Sequence, residues 1–333
     1  MQRAHDRGAS RWSVALLMLV AAAACDQPAS SSENSGATGS GAEAIDAVSV
    51  GAIPIVEVAP LYLGKQKGFF ASRNIDLSIT TRPGGATIIT GVLGDQLQFG
   101  FGNVTSFMMA CDKGLQLKIL TNGGSSTGEA GKDVGALVVP AGSPIQSARE
   151  LAGRTVSVNQ LNNIGDTTVR ASIRRAGGDP KAVKFTAVPF PETQTALDAK
   201  QMDAAFVVEP FLSRVIGAGA RVISWIFVDT APNMTIAVYF TSDHTVRTRP
   251  DLIRRFTEAM NESLEYAQAH PDEAREMLKT YTKIPPETIT ALTLPRWPTE
   301  VNRDSLKTVA DLAFEDGLIA SPVDVDALFA ARR

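Results

Sequence analysis

Two short stretches, DQLQFGF at residues 95–101 and KQMDAAF at residues 200–206, carry one pattern twice. Each follows a short helical segment and a polar turn, and each runs through an apolar strand into a new helix. Their separation is about the length of one α/β lobe. The repeat predicts two similar α/β lobes rather than a single continuous sheet.

Outward from this pair, short apolar runs alternate with helical spacing, the pattern of an α/β fold with largely parallel sheets. The expected strands are Ala47–Val50, Leu77–Thr80, Gln98–Phe101, Leu117–Thr121, Gly135–Val139, Thr155–Val158, Lys184–Val188, Ala204–Val208 and Ile236–Phe240. After Phe240 the pattern becomes helical. Leu252, Ile253, Phe256, Met260 and Leu264 recur every three or four residues, which predicts an amphipathic helix that His270-Pro271 stops. Two further helices are expected in PDEAREMLKTYT and DSLKTVADLAFEDGLI, padding the first lobe.

At 333 residues the chain can bury two ordinary cores. Its net charge of −3 and scattered lysines and arginines argue against a nucleic-acid partner, leaving something small. Residues 1–24 read as a signal peptide: Arg3, Arg7 and Arg11 precede a short apolar run from Val14 to Ala24. Residues 25–45, rich in Ser, Gly and Ala, read as a flexible tether. Cys111, in the apolar run Phe107-Met-Met-Ala-Cys111, reads as a small buried hydrophobe.

No catalytic constellation is visible. The chain lacks G-x-S-x-G, H-E-x-x-H, a Walker loop and C-x-x-C, and His244 and His270 lie in polar segments that flank helices. No cofactor or metal site is expected. The chain offers instead small polar loops at the carboxyl ends of its expected strands, the edge at which open α/β sheets bind ligands. These are Pro54-Ile-Val-Glu57, Arg82-Pro-Gly-Gly85, Gly102-Asn-Val-Thr-Ser106, Asn122-Gly-Gly-Ser-Ser126, Asn159–Asp166, Pro189-Phe-Pro191 and Glu209-Pro210. Helix amino termini beside such loops can hold an anionic or strongly polar atom through free N–H groups. Each Ser, Thr, Asn or Asp there can equally cap its own helix.

The segments APLYLGKQKGFFASRNIDL (59–77), PGGATIITGVLGDQLQFGFGNVTSF (83–107), LAGRTVSVNQLNNIGDTTVRASIRRAG (151–177), DAAFVVEPF (203–211) and AHPDEA (269–274) resemble the extracytoplasmic solute-binding proteins of nitrate, sulfonate and taurine ABC importers. The resemblance covers nearly all the chain after residue 47. It implies a two-lobed periplasmic-binding-protein-like fold of type II, with a ligand cleft between lobes that close by a hinge. Lobe one would be 46–139 and 236–333, lobe two 140–235, with crossings near Val139 and Thr235. The partners implied are a small-molecule ligand, a permease and its ATPase, with the binding protein a monomer. Ala22-Ala-Ala-Cys25 also resembles a bacterial lipobox, with Ala22 where leucine is usual, so that Cys25 would carry a lipid anchor outside the cytoplasm.

On that resemblance the ligand-binding candidates are Pro54, Glu57, Gly84, Gly85, Asn103, Thr105, Ser106, Ser125, Ser126, Asn159, Asn162, Asn163, Gly165, Asp166 and Glu209. Asn159 and Asn163 are expected to touch ligand through amides that donate and accept, with Gly165 permitting close approach. Asn162 and Asp166 are open between ligand contact and turn or cap. Glu209, and Glu57 with it, would repel a free sulfonate or nitrate unless paired and suit an amine or a ring N–H, as in a pyrimidine; the alternatives for Glu209 are that it faces a translocator or forms a salt bridge between the lobes. Two other readings share the pattern: a module that presents ligand to a membrane sensor, and an enzyme like the pyrimidine synthase of thiamine biosynthesis. The second lacks its cysteine cluster and cleft histidine here.

Overall fold

The computed structural model describes residues 44–330. In chain order come β1 (Asp46–Ala52), α1 (Ala59–Lys67), β2 (Ile75–Thr81), α2 (Gly85–Leu93), β3 (Phe99–Asn103), α3 (Val104–Asp112) and β4 (Leu117–Ser125). A second set follows: β5 (Gly135–Val139), β6 (Thr155–Val158), α4 (Ile164–Arg175), β7 (Lys184–Ala187), α5 (Thr193–Asp198), β8 (Ala204–Val208), α6 (Phe211–Gly217), β9 (Arg221–Ser224) and α7 (Ile226–Thr230). The chain then returns through β10 (Thr235–Ser242) to α8 (Asp243–Thr248), α9 (Pro250–Ala269), α10 (Pro271–Tyr281), α11 (Pro286–Ala291) and α12 (Arg303–Glu315). The expected signal peptide, Cys25 and all but the last two tether residues lie outside the described residues.

The strands form two five-stranded sheets with one plan, β2-β1-β3-β10-β4 and β7-β6-β8-β5-β9. In each, the first three places are joined by parallel pairing, and the strand in the fourth place is reversed: β10 runs antiparallel to β3 and β4, β5 to β8 and β9. The expectation of largely parallel sheets therefore needs correcting at one strand in each. In each sheet that strand is the first one after the chain passes over from the other sheet.

The repeated stretches occupy equivalent places. They lead into β3 and β8, each third in its sheet, and each opens on a residue in the left-handed region, Asp95 at φ 56° and Lys200 at φ 54°. Leu97 and Met202, in matching positions, are both buried. Three strands, β5, β6 and β8, coincide with their expected spans, while β9 was not expected at all. The crossing expected near Val139 lies earlier: β5 is already part of the second sheet, so the chain passes over between Ser125 and Gly135. Asn122–Ser125, expected as a loop, continues β4, because Asn122 Oδ1 accepts from Gly124 N at 2.6 Å and Thr235 pairs with Ser125.

Helix α9 behaves as its periodicity requires. Leu252, Phe256, Met260 and Leu264 are buried, and Phe256 stacks on Phe99 of β3 with centroids 3.7 Å apart. Full burial of such a ring stabilises by about 3 kcal/mol. Pro271 then starts α10, where its missing N–H costs nothing. Asp46, at the start of β1, is held by Arg249 and Arg255, so the first strand is fastened to the α8–α9 junction.

Candidate functional site

Three helices begin close together between the two sheets. α2 starts after Gly84, α3 after Asn103 and α4 after Asn163. Asn103 caps α3, accepting from Ser106 N at 2.9 Å, and its Nδ2 donates to Ser106 Oγ. Gly85 faces that pair: a Cβ on it would sit 3.4 Å from Ser106 Cβ. Thr105 of α3 and Thr167 of α4 meet hydroxyl to hydroxyl at 3.3 Å, both fully buried. Across the same gap Ala86 N donates to Gln160 Oε1, and a Cβ on Gly84 would lie only 2.4 Å from that oxygen. Partial positive charge from three helix dipoles is thus gathered at one place.

The amides of Asn159–Asp166 brace this meeting point. Asn163 accepts from Gly165 N at 2.8 Å and forms a capping box with Asp166, whose Oδ2 accepts from Asn163 N. Asn163 Nδ2 donates to Asn159 Oδ1 at 2.8 Å, and Asn159 Nδ2 donates to Pro83 O of the other half. The crowded amides therefore form a relay from α4 to the loop before α2. Asp166 is a cap, and burial pushes its carboxyl up to about 6 against the bond from Asn163. Asn162 is an exposed turn residue at φ 55°. Gly165 serves packing, since a Cβ there would meet Phe206 Cδ1 at 2.7 Å and Val158 Cγ1 at 2.8 Å.

Beside the relay lies a cavity of about 30 Å³, room for one or two water-sized groups. One wall carries Ile53, Ile55, Phe101, Ile236 and Ala237; the other carries Ile164, Phe190, Phe206, Val208 and Phe227. Its polar lining is Glu57, Asn103 and Asn159, with no lysine or arginine. Phe101 and Phe206 are the last residues of the two repeated stretches, so the repeat ends in the same residue on both walls. The apolar walls were missed by a reading that looked for polar loop residues. The signal available was the pair of matched phenylalanines.

Glu57 is fully buried and neither carboxyl oxygen has a hydrogen-bond partner. Burial, with the charges of Asp133 and Glu209, pushes its carboxyl up to about 8. Gly124 makes room for it: at φ 154° it takes a backbone form that side chains rarely adopt, and a Cβ would sit 2.9 Å from Glu57 Cγ. Trp297 Nε1 donates to Glu57 O at 3.1 Å, pinning the turn.

Glu209 behaves otherwise. Its oxygens accept from Ser213 Oγ at 2.7 Å, Ser213 N at 3.0 Å and Thr293 N at 3.4 Å, and its backbone O accepts from Val56 N. With its acceptors used internally and no place in the cavity lining, Glu209 ties the halves together; the carboxyl that faces the cavity is Glu57. Ser125 and Ser126 are also apart from the site, Ser125 receiving Asn122 Nδ2 and Ser126 donating to Asp133. Pro54 stands between the lining residues Ile53 and Ile55 and is itself half-buried. Among the described residues no group of three or more His, Cys, Asp or Glu is placed to hold a metal ion. Cys111 is half-buried on α3, and burial pushes its thiol up to about 11.

Residues 55–274 match the family model described as NMT1/THI5 like. A putative ABC transporter periplasmic binding protein of Brachyspira hyodysenteriae is 28% identical over 137 residues, 41% of this chain and 39% of that protein. The chain thus matches well under half the length of that curated relative. The alkanesulfonate-binding protein of Xanthomonas axonopodis pv. citri, solved with MOPS bound, superposes with a TM-score of 0.73 at 15% identity, covering 86% of this chain and 99% of the other. A desulfurization enzyme superposes with a TM-score of 0.64 at 16% identity over 86% and 97%. The architecture is therefore that of the periplasmic binding proteins, a fold that hosts both binding and catalysis.

Proposed function

The chain belongs to the NMT1/THI5-like family, and from that premise we propose that it is the solute-binding component of an ABC importer. The observation that carries this is the convergence of three helix amino termini beside an apolar cavity between two sheets of one plan. Such a site offers the positive ends of three helices to a polar acceptor atom and apolar walls to the body that bears it. Its polar side chains are a carboxyl and two amides. These bind; none of them is an activated nucleophile or a base poised beside one.

In this reading the halves around the two sheets are the lobes. They part to admit a solute larger than the present cavity and close over it, with Asn103, Thr105, Ser106, Gly84 and Gly85 on one side and Asn159 and Asn163 on the other. The protein works outside the cytoplasm, held by a lipid on Cys25 and a tether up to residue 45, and passes its solute as a monomer to a permease driven by an ATPase. A partner that senses rather than transports would use the same site, and loss of solute uptake on deleting the gene distinguishes import.

A thermal-shift screen of the purified protein against sulfonates, nitrate, heterocycles and amines tests the binding role. A solute at about 100 times its dissociation constant raises stability by roughly 2.7 kcal/mol. If no class of solute raises the melting temperature, the binding role fails.

A further inference from the structure

Resting on the solute-binding reading, we infer that Glu57 selects the ligand, and that the ligand is a neutral flat ring presenting an N–H beside a C=O. The argument begins with the carboxyl's isolation. It lines the cavity, is fully buried, and both of its oxygens lack partners. A buried polar group in that position costs stability unless something completes its hydrogen bonds. Gly124 leaves the side chain room and the Trp297 bond fixes its backbone, while the neighbouring Tyr239 hydroxyl is likewise buried and without a partner.

The surroundings decide which partner. The charged and titratable groups felt by Glu57 and its neighbours are Asp133 and Glu209 together with the phenols of Tyr62, Tyr239 and Tyr281, all acids. No cation lines the cavity. The carboxyl is therefore kept neutral near pH 7, and a neutral carboxyl has one O–H donor and one C=O acceptor side by side. A lactam or imide edge, with N–H next to C=O, meets both at once.

Two features disfavour an ammonium group. The amino termini of α3 and α4 open onto the same cavity and place partial positive charge there. Pairing with a cation would also require ionising Glu57 in a site with no water-facing oxygen. The four phenylalanines Phe101, Phe190, Phe206 and Phe227 supply faces and edges suited to a ring. A second acceptor on that ring would point at the helix termini.

The test measures binding to the purified full chain of uracil and 2-pyridone, their N-methylated forms, benzylammonium and methanesulfonate, for wild type, Glu57→Gln and Glu57→Leu. Glutamine keeps a donor and an acceptor together, so Glu57→Gln is expected to bind the lactam probes within about threefold of wild type. Glu57→Leu and N-methylation should each weaken them about tenfold or more. The N-methyl comparison uses only wild type and stands even if a variant folds poorly. The inference is overturned if N-methylation has no effect, if no lactam probe binds, or if benzylammonium binds and Glu57→Gln abolishes it. Binding of methanesulfonate alone, equal in all three proteins, would overturn the inference while leaving the solute-binding role intact.

Discussion

Replacing Glu57 by glutamine removes the titratable group from the described lining of the cavity. In the folded protein the carboxyl titrates at about 8; an unfolded glutamate titrates at its ordinary value of 4.5. Between these values the unfolded chain has released a proton that the folded chain still holds. Stability from this group is therefore fully present below pH 4.5 and drains away as pH rises, by about 1.4 kcal/mol per unit, until the folded group also ionises near 8. Integrated from pH 5 to pH 9 the loss is about 4 kcal/mol. Glutamine has no such dependence. Urea unfolding of wild type and Glu57→Gln at pH 5, 7 and 9 should give free-energy differences that move in favour of the variant by about 4 kcal/mol across the series, with equal m-values. Parallel pH profiles for the two proteins would refute the reasoning, because they would mean that Glu57 is solvated or paired in the folded state.

Gly124→Ala should destabilise by about 1–3 kcal/mol, since its φ of 154° and the 2.9 Å approach to Glu57 Cγ both resist a Cβ; urea unfolding checks this, and a neutral result would remove the case for a carboxyl held by its neighbours. Asn163→Ala deletes the cap of α4 and the link to Asn159, at a cost of about 1 kcal/mol from the cap; an unchanged melting temperature would show that the relay is not structural. Arg174 of α4 bonds Asp316 at 2.7 Å and Glu315 at 3.2 Å at the end of α12, joining the two halves. Arg174→Ala should therefore speed solute release severalfold in stopped-flow experiments, and an unaltered rate would argue that the halves do not part there.

What could be read beforehand depended on whether a residue's role is set by its neighbours in sequence. β5, β6 and β8 are buried on both faces and written as short apolar runs, so their limits were legible. β9, Arg221–Ser224, is a four-residue edge strand of mixed character, and only its pairing with β5 makes it a strand. Asn159 and Asn163 were found as a pair because they sit in one loop. The bond from Asn159 to Pro83 needed a second segment brought from 76 positions away. The two glutamates show the limit most clearly. Ser213, which bonds Glu209, stands only four residues on, but Thr293 comes from 84 positions away, and nothing near Glu57 in sequence tells that it is left alone.

The fourth place in the first sheet is filled by a strand that follows the whole second sheet in sequence, and this has a consequence for the order of assembly. Every strand of the second sheet lies in one uninterrupted stretch, from Gly135 to Ser224. The first sheet begins at Asp46 but stays divided until β10 arrives between β3 and β4, 110 residues after Ser125. As the chain emerges from the ribosome or from an export channel, the later half can complete its core while the earlier half still waits for the strand that joins β3 to β4. The amino-terminal segment would thus be the last part of the protein to become protease-resistant.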